Sequence, residues 1–132
     1  MAAARAASTE MDLDQGLRRL GYAEFRPGQR EAIETLLEKR RLLLVAPTGG
    51  GKSLTYQLPA CLLPGTTLVL SPLVALMNDQ VQALTTRGVS ATFLASTLDA
   101  SEARRRMARL AAGEYKLVYA ACLLYTSDAA DE

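Results

Sequence analysis

Apolar positions along this chain recur with two periods, one helical and one extended, and the points where one gives way to the other mark its elements. From Asp12 to Leu20, Leu13, Leu17 and Leu20 fall on one helical face and Gly21 follows as a stop, which predicts a short helix. Phe25-Arg-Pro-Gly-Gln29 reads as a turn into a second helix from Arg30 to Lys39, whose Ala32, Ile33, Leu36 and Leu37 share a face. Leu42-Leu-Leu-Val-Ala46 is apolar without interruption and ends at Pro47 and three glycines, the pattern of a strand buried on both faces. Helices are then expected over Lys52–Leu62, Leu73–Arg87 and about Ser101–Ala112, and strands over Thr67–Leu70, Ala91–Leu94 and Tyr115–Ala121. Strands alternating with helices predict an α/β layered domain with a mainly parallel sheet.

Composition narrows the class without naming a function. A chain of 132 residues, 49% hydrophobic and 22% charged, is sized for one globular core. Its formal charge of +1 argues neither for nor against a polyanionic partner, so any nucleic-acid interaction must rest on local features. Two distant cysteines, Cys61 and Cys122, and the absence of histidine disfavour a zinc site or an imidazole base. Residues 1–11 read as a flexible lead-in without the apolar run of a signal peptide. No stretch of about 18 apolar residues offers a membrane span, and a cytoplasmic protein is expected.

The chemistry lies between the first expected strand and the helix after it, at Ala46-Pro-Thr-Gly-Gly-Gly-Lys-Ser53. This follows the phosphate-loop pattern G-x-x-x-x-G-K-[S/T], with Ala46 in place of the first glycine. Thr48, Gly49, Gly50 and Gly51 would turn main-chain N–H groups around phosphate oxygens, and the following helix would present its positive end to them. By side-chain reach, Lys52 is expected at the β- and γ-phosphates and Ser53 at magnesium, which makes ATP and Mg2+ the expected ligands. A glycine-rich turn that happens to hold a lysine is the bland alternative. A strand before the loop and a helix after it are the context the motif requires, and they favour nucleotide binding.

Three segments taken together, Phe25-Arg-Pro-Gly-Gln29, Ala46 to Pro59 and Leu70-Ser-Pro-Leu-Val-Ala-Leu-Met-Asn-Asp-Gln-Val81, resemble the RecQ family of superfamily 2 DNA helicases in order and spacing. The likeness runs from about Asp12 to Ala121. It implies the first of two RecA-like P-loop motor lobes, incomplete at the C-terminus, and ATP-dependent DNA unwinding of 3′–5′ type in repair and recombination. By the same resemblance Tyr22 stacks on adenine, Arg26 makes a polar contact and the Gln29 amide pairs with the base edge. An amide donor and acceptor suit that edge, although Phe25 stapling the helix and Gln29 capping it would account for the same spacing. Ser71, Pro72 and Leu73 resemble a DNA-backbone motif and Ser96 a weaker one, while Leu73, Leu76, Met77 and Val81 also read as core. Arg104, Arg105, Arg106 and Arg109 are expected to form a solvated face rather than a DNA track. Cys61 reads as a buried helix residue.

After Lys116 to Ala121 the family pattern continues differently, and Cys122 to Glu132 is expected to be a spurious tail. Asp131 and Glu132 arrive too early, and after no apolar strand, to be the magnesium-binding carboxylate pair. The expectation is therefore a chain that binds nucleotide weakly at best and neither hydrolyses ATP nor unwinds DNA, because water activation needs a carboxylate-bearing strand and arginines from a partner lobe. Single-stranded or duplex DNA is the partner implied for the intact protein, with a bacterial nucleoid setting and the oligomeric state open. An RNA helicase of the DEAD-box type, a small-molecule kinase and a non-catalytic binding module are the competing readings.

Overall fold

The computed structural model describes residues 13–47 and 51–121, which form two compact units divided after Pro64. In the first unit, α1 (13–19) ends where Gly21 takes a left-handed conformation and the Tyr22 N–H bonds the Leu17 carbonyl, the stop its sequence predicts. Next come α2 (Gln29–Lys39) and α3 (Lys52–Leu62), which pack against each other. Their core comprises Leu13, Leu17 and Leu20 from the first helix and its end, Ile33 from α2, and Leu54 and Leu58 from α3. Gly16 sits inside α1 because a Cβ there would lie 2.2 Å from Leu58 Cδ1, so close approach of the backbone outweighs the entropic cost of a helical glycine.

The expected strand at Leu42–Ala46 does not form. Residues 41–47 have no regular structure, and exposure along them alternates, 37% at Leu42 and Leu44 against 89% at Leu43 and 87% at Val45. That alternation belongs to an extended chain. A strand additionally needs a neighbour to exchange N–H···O bonds, and the first unit holds no strand among its described residues to supply one. Periodicity reported the backbone shape and overestimated the burial.

The second unit is a three-stranded parallel sheet. β1 (Thr67–Ser71), α4 (Val74–Thr86), β2 (Ala91–Leu94), α5 (Ala100–Ala111) and β3 (Leu117–Ala121) follow in chain order, and the strands lie β1-β3-β2. β3 is central and wholly buried, with Tyr119 opposite both Val69 and Phe93. Met77 and Leu84 of α4 join its core, and α4 and α5 lie against β2. Side chains lace the start of β3 to its neighbours: Thr66 Oγ1 donates to the Tyr115 carbonyl at 2.6 Å, and Ser90 Oγ to the Glu114 carbonyl at 2.7 Å.

The two outer strands differ. On β2, Arg106 of α5 donates to the Phe93 carbonyl at 2.8 Å, stacks 4.8 Å from the Phe93 ring centroid and pairs with Glu102 at 2.9 Å. On β1, Leu68 and Leu70 point outward and are exposed. The rest of the basic run is a solvated face: Arg104, Arg105 and Arg109 are exposed, with Arg105 meeting Glu102 and Arg109 meeting Glu114 and the Tyr115 ring at the surface. Among the described residues no helix is long and apolar enough to cross a membrane.

Candidate nucleotide-binding site

Three residues on two elements build the centre of this site. Gly51, just before α3, has φ +77°, a left-handed conformation that glycine adopts without steric cost. It delivers the chain into α3 with no side-chain cap and no acidic residue in the first turn. The first N–H groups of a helix have no partners within it, so this end offers donors and a positive dipole to an anion.

Lys52 is exposed, and its Nζ reaches back 3.3 Å to the Ala46 carbonyl. The side chain therefore bridges the two ends of the loop that carries the glycines. Gln29, buried at the start of α2, donates from Nε2 to the Gly51 carbonyl at 2.9 Å and accepts at Oε1 from the Arg26 N–H at 2.7 Å. A Cβ on Gly51 would lie 2.5 Å from that Nε2 and 3.5 Å from Arg26 Cδ, which places Arg26 beside the same glycine.

These residues border a cavity of about 230 Å³, with Pro27, Val45, Ala46 and Thr55 contributing apolar and hydroxyl surface. The Thr55 hydroxyl there donates to the Lys52 carbonyl within the helix. Among the described residues the lining contains no carboxylate, and no group of three or more acidic or cysteine side chains stands together as a metal site.

The structure thus gathers Gln29, Arg26, Gly51 and Lys52 from two distant motifs. Ser53 follows in the first turn of α3 and is half-buried. Thr48, Gly49 and Gly50 lie outside the described residues. Tyr22 stands in the loop before α2, 46% exposed, and does not line the cavity. Pro27 and Thr55 were not singled out from the sequence. Both were within reach, Pro27 as part of the turn motif and Thr55 as the residue one helical turn after Lys52.

In the second unit, Ser71 ends β1 and its Oγ accepts the Leu73 N–H at 3.1 Å, a local turn around exposed Pro72. α4 then begins without a side-chain cap or an acidic first turn. By contrast, α5 is capped by Asp99 and carries Glu102 in its first turn. Ser96 is exposed in the loop after β2. Cys61 is half-buried on α3 rather than fully buried.

Compared with known proteins, residues 26–126 match the family described as DEAD/DEAH box helicase. The ATP-dependent DNA helicase RecQ of Bacillus subtilis is 48% identical over 100 residues, which cover 75% of this chain and 17% of that protein. The RecQ of Synechocystis is 49% identical over 108 residues, 81% of this chain and 23% of that protein. ATP-dependent DNA helicase Q4 of mouse is 55% identical over 82 residues, 59% of this chain and 7% of that protein. The chain therefore spans less than a quarter of the length of these relatives. With a phosphate-loop lysine, a buried turn glutamine and this extent of likeness, the chain belongs to the DEAD/DEAH box helicase family, on its RecQ branch.

Proposed function

We propose that this chain binds adenine nucleotide with magnesium, and that in the whole protein this binding drives ATP-dependent unwinding of DNA. The observation that carries the reading is the uncapped start of α3, where Gly51 is left-handed, Lys52 folds over the loop and the Gln29 amide is seated on the loop carbonyl. A triphosphate would replace the Ala46 carbonyl as the partner of Lys52, exchanging a neutral acceptor for a charged one. Thr48 to Gly51 would supply main-chain donors, and Ser53 would hold the metal. Magnesium, when bound, neutralises charge shared by the β- and γ-phosphate oxygens. Gln29 and Arg26 would read the base, with Tyr22 stacking on it.

DNA would meet the chain at Ser71, Pro72 and Leu73, with Ser96 as a further contact. Support comes from the start of α4, whose N–H groups face no capping side chain and no acidic residue, the arrangement that accepts a phosphate. The RecQ relatives are named as DNA helicases, which favours DNA over RNA as the nucleic acid. Turnover by this chain alone is not part of the reading, because orienting a water at the γ-phosphate takes a carboxylate and the described lining offers none. The tail from Cys122 onward takes no role in it.

Titrating the purified chain with a fluorescent ADP analogue tests the core of this. Saturable, magnesium-dependent binding that Lys52→Ala removes is expected, at a cost of roughly ten- to a hundredfold in affinity for losing one charge-assisted contact. A wild-type chain that binds no nucleotide would sink the proposal. DNA-stimulated ATP hydrolysis by the same chain, abolished by Lys52→Ala, would overturn its non-turnover part.

A further inference from the structure

We infer that Arg30 is a positioning residue for base recognition, bracing the Phe25–Gln29 turn from outside while Gln29 holds it from within. The inference rests on the proposal that this turn reads adenine, and it concerns what keeps the turn in place.

Gln29 and Arg30 are consecutive at the start of α2, so their side chains leave the helix in different directions. Gln29 is buried against Gly51. Arg30 lies at the surface and makes three contacts at once. Its Nε donates to Glu34 Oε1 at 3.0 Å, a terminal nitrogen donates to Asp14 Oδ1 at 3.4 Å, and its guanidinium carbon stands 5.5 Å from the Phe25 ring centroid. One planar group thereby joins α1, the next turn of α2 and the first residue of the recognition turn.

The turn needs such a brace. Tyr22, Arg26, Pro27 and Gly28 are exposed and Phe25 is only half-buried, so little apolar burial fixes the segment. Gly28, at φ +86° with open space where a Cβ would stand, adds backbone freedom. Phe25 under Arg30 is a tie that orients this stretch relative to α1 and α2, alongside the Gln29 bonds to Arg26 and the Tyr22 N–H on the Leu17 carbonyl. Lysine could keep one ion pair but could not present a flat face to the ring while donating in two directions.

The test is binding of ADP, GDP and inorganic pyrophosphate to the purified chain, with circular dichroism as the folding control. Arg30→Ala is expected to weaken ADP about three- to tenfold, the worth of a surface ion pair with a cation–π contact, and to leave pyrophosphate unchanged. Arg30→Lys should recover part of the loss. Asp14→Asn, which cuts the brace from α1 at an exposed side chain, should weaken ADP in the same direction by less. If ADP and pyrophosphate weaken together, or if Arg30→Ala keeps the wild-type preference for ADP over GDP, Arg30 is not a positioning residue for the base. If the wild-type chain shows no preference for ADP over GDP, the base reading itself fails and this inference with it.

Discussion

The amide of Gln29 shows how much one side chain does at this site. A primary amide carries two hydrogens and two carbonyl lone pairs, and the bonds to the Gly51 carbonyl and the Arg26 N–H use one of each. A donor and an acceptor remain for a ligand edge, so base reading and loop geometry can share one group. Gln29→Ala is expected to cost about 1 kcal/mol in urea unfolding, because it removes two hydrogen bonds to partly buried main-chain groups, and to weaken nucleotide binding as well. Gly51→Ala forces a Cβ into a left-handed residue and to within 2.5 Å of Gln29 Nε2. A loss of about 1–2 kcal/mol is expected in the same measurement, and Gly28→Ala, equally left-handed but with open space around it, separates backbone strain from the clash. At this scale the sequence was readable where a motif fixes residues a few positions apart, as with the left-handed Gly51 that opens α3 and the Lys52 side chain that turns back to the Ala46 carbonyl. It was silent on Arg30, because the pairing with Asp14 spans 16 residues and depends on where α1 comes to rest.

Helix ends and strand edges carry the next set of consequences. The Asp99 carboxyl is held below its ordinary range, first by the Glu102 main-chain N–H and then by the Ser101 hydroxyl, both of which bond its charged form. A carboxylate depressed by folding stabilises above its unfolded value of about 3.9 and loses that contribution as pH falls through the lower folded value. Protection factors for amide exchange at the start of α5, which correct for the intrinsic pH dependence of exchange, should therefore fall on acidification below about pH 4. Asp99→Asn, which keeps an N-cap without a titrating group, should remove the pH dependence. The helices from α2 to α5 and the strands β1, β2 and β3 were legible within one or two residues of their bounds, because their apolar periods and glycine stops are local signals. Leu42 to Ala46 was not, since a strand is a property of two chains of peptide groups and the sequence displays only one of them.

Among the described residues, apolar surface is left unusually open at Leu43 and Val45 in the first unit and at Leu68 and Leu70 on β1 in the second, with Leu73, Leu76 and Met107 exposed as well. Exposed aliphatic side chains on extended backbone invite pairing between molecules. Sedimentation of the purified chain is expected to show concentration-dependent association, which Leu43→Glu and Leu70→Lys should each reduce. A monomer at all concentrations would contradict this. The hold of Arg106 on the Phe93 carbonyl has a directional consequence for the sheet. With that main-chain acceptor already taken, β2 is a poor template for further extension, whereas no described strand pairs with the outer edge of β1, beside its outward leucines. Growth of this sheet is therefore one-sided: a newcomer strand, from the same polypeptide or a neighbouring molecule, would be seated next to Thr67–Ser71.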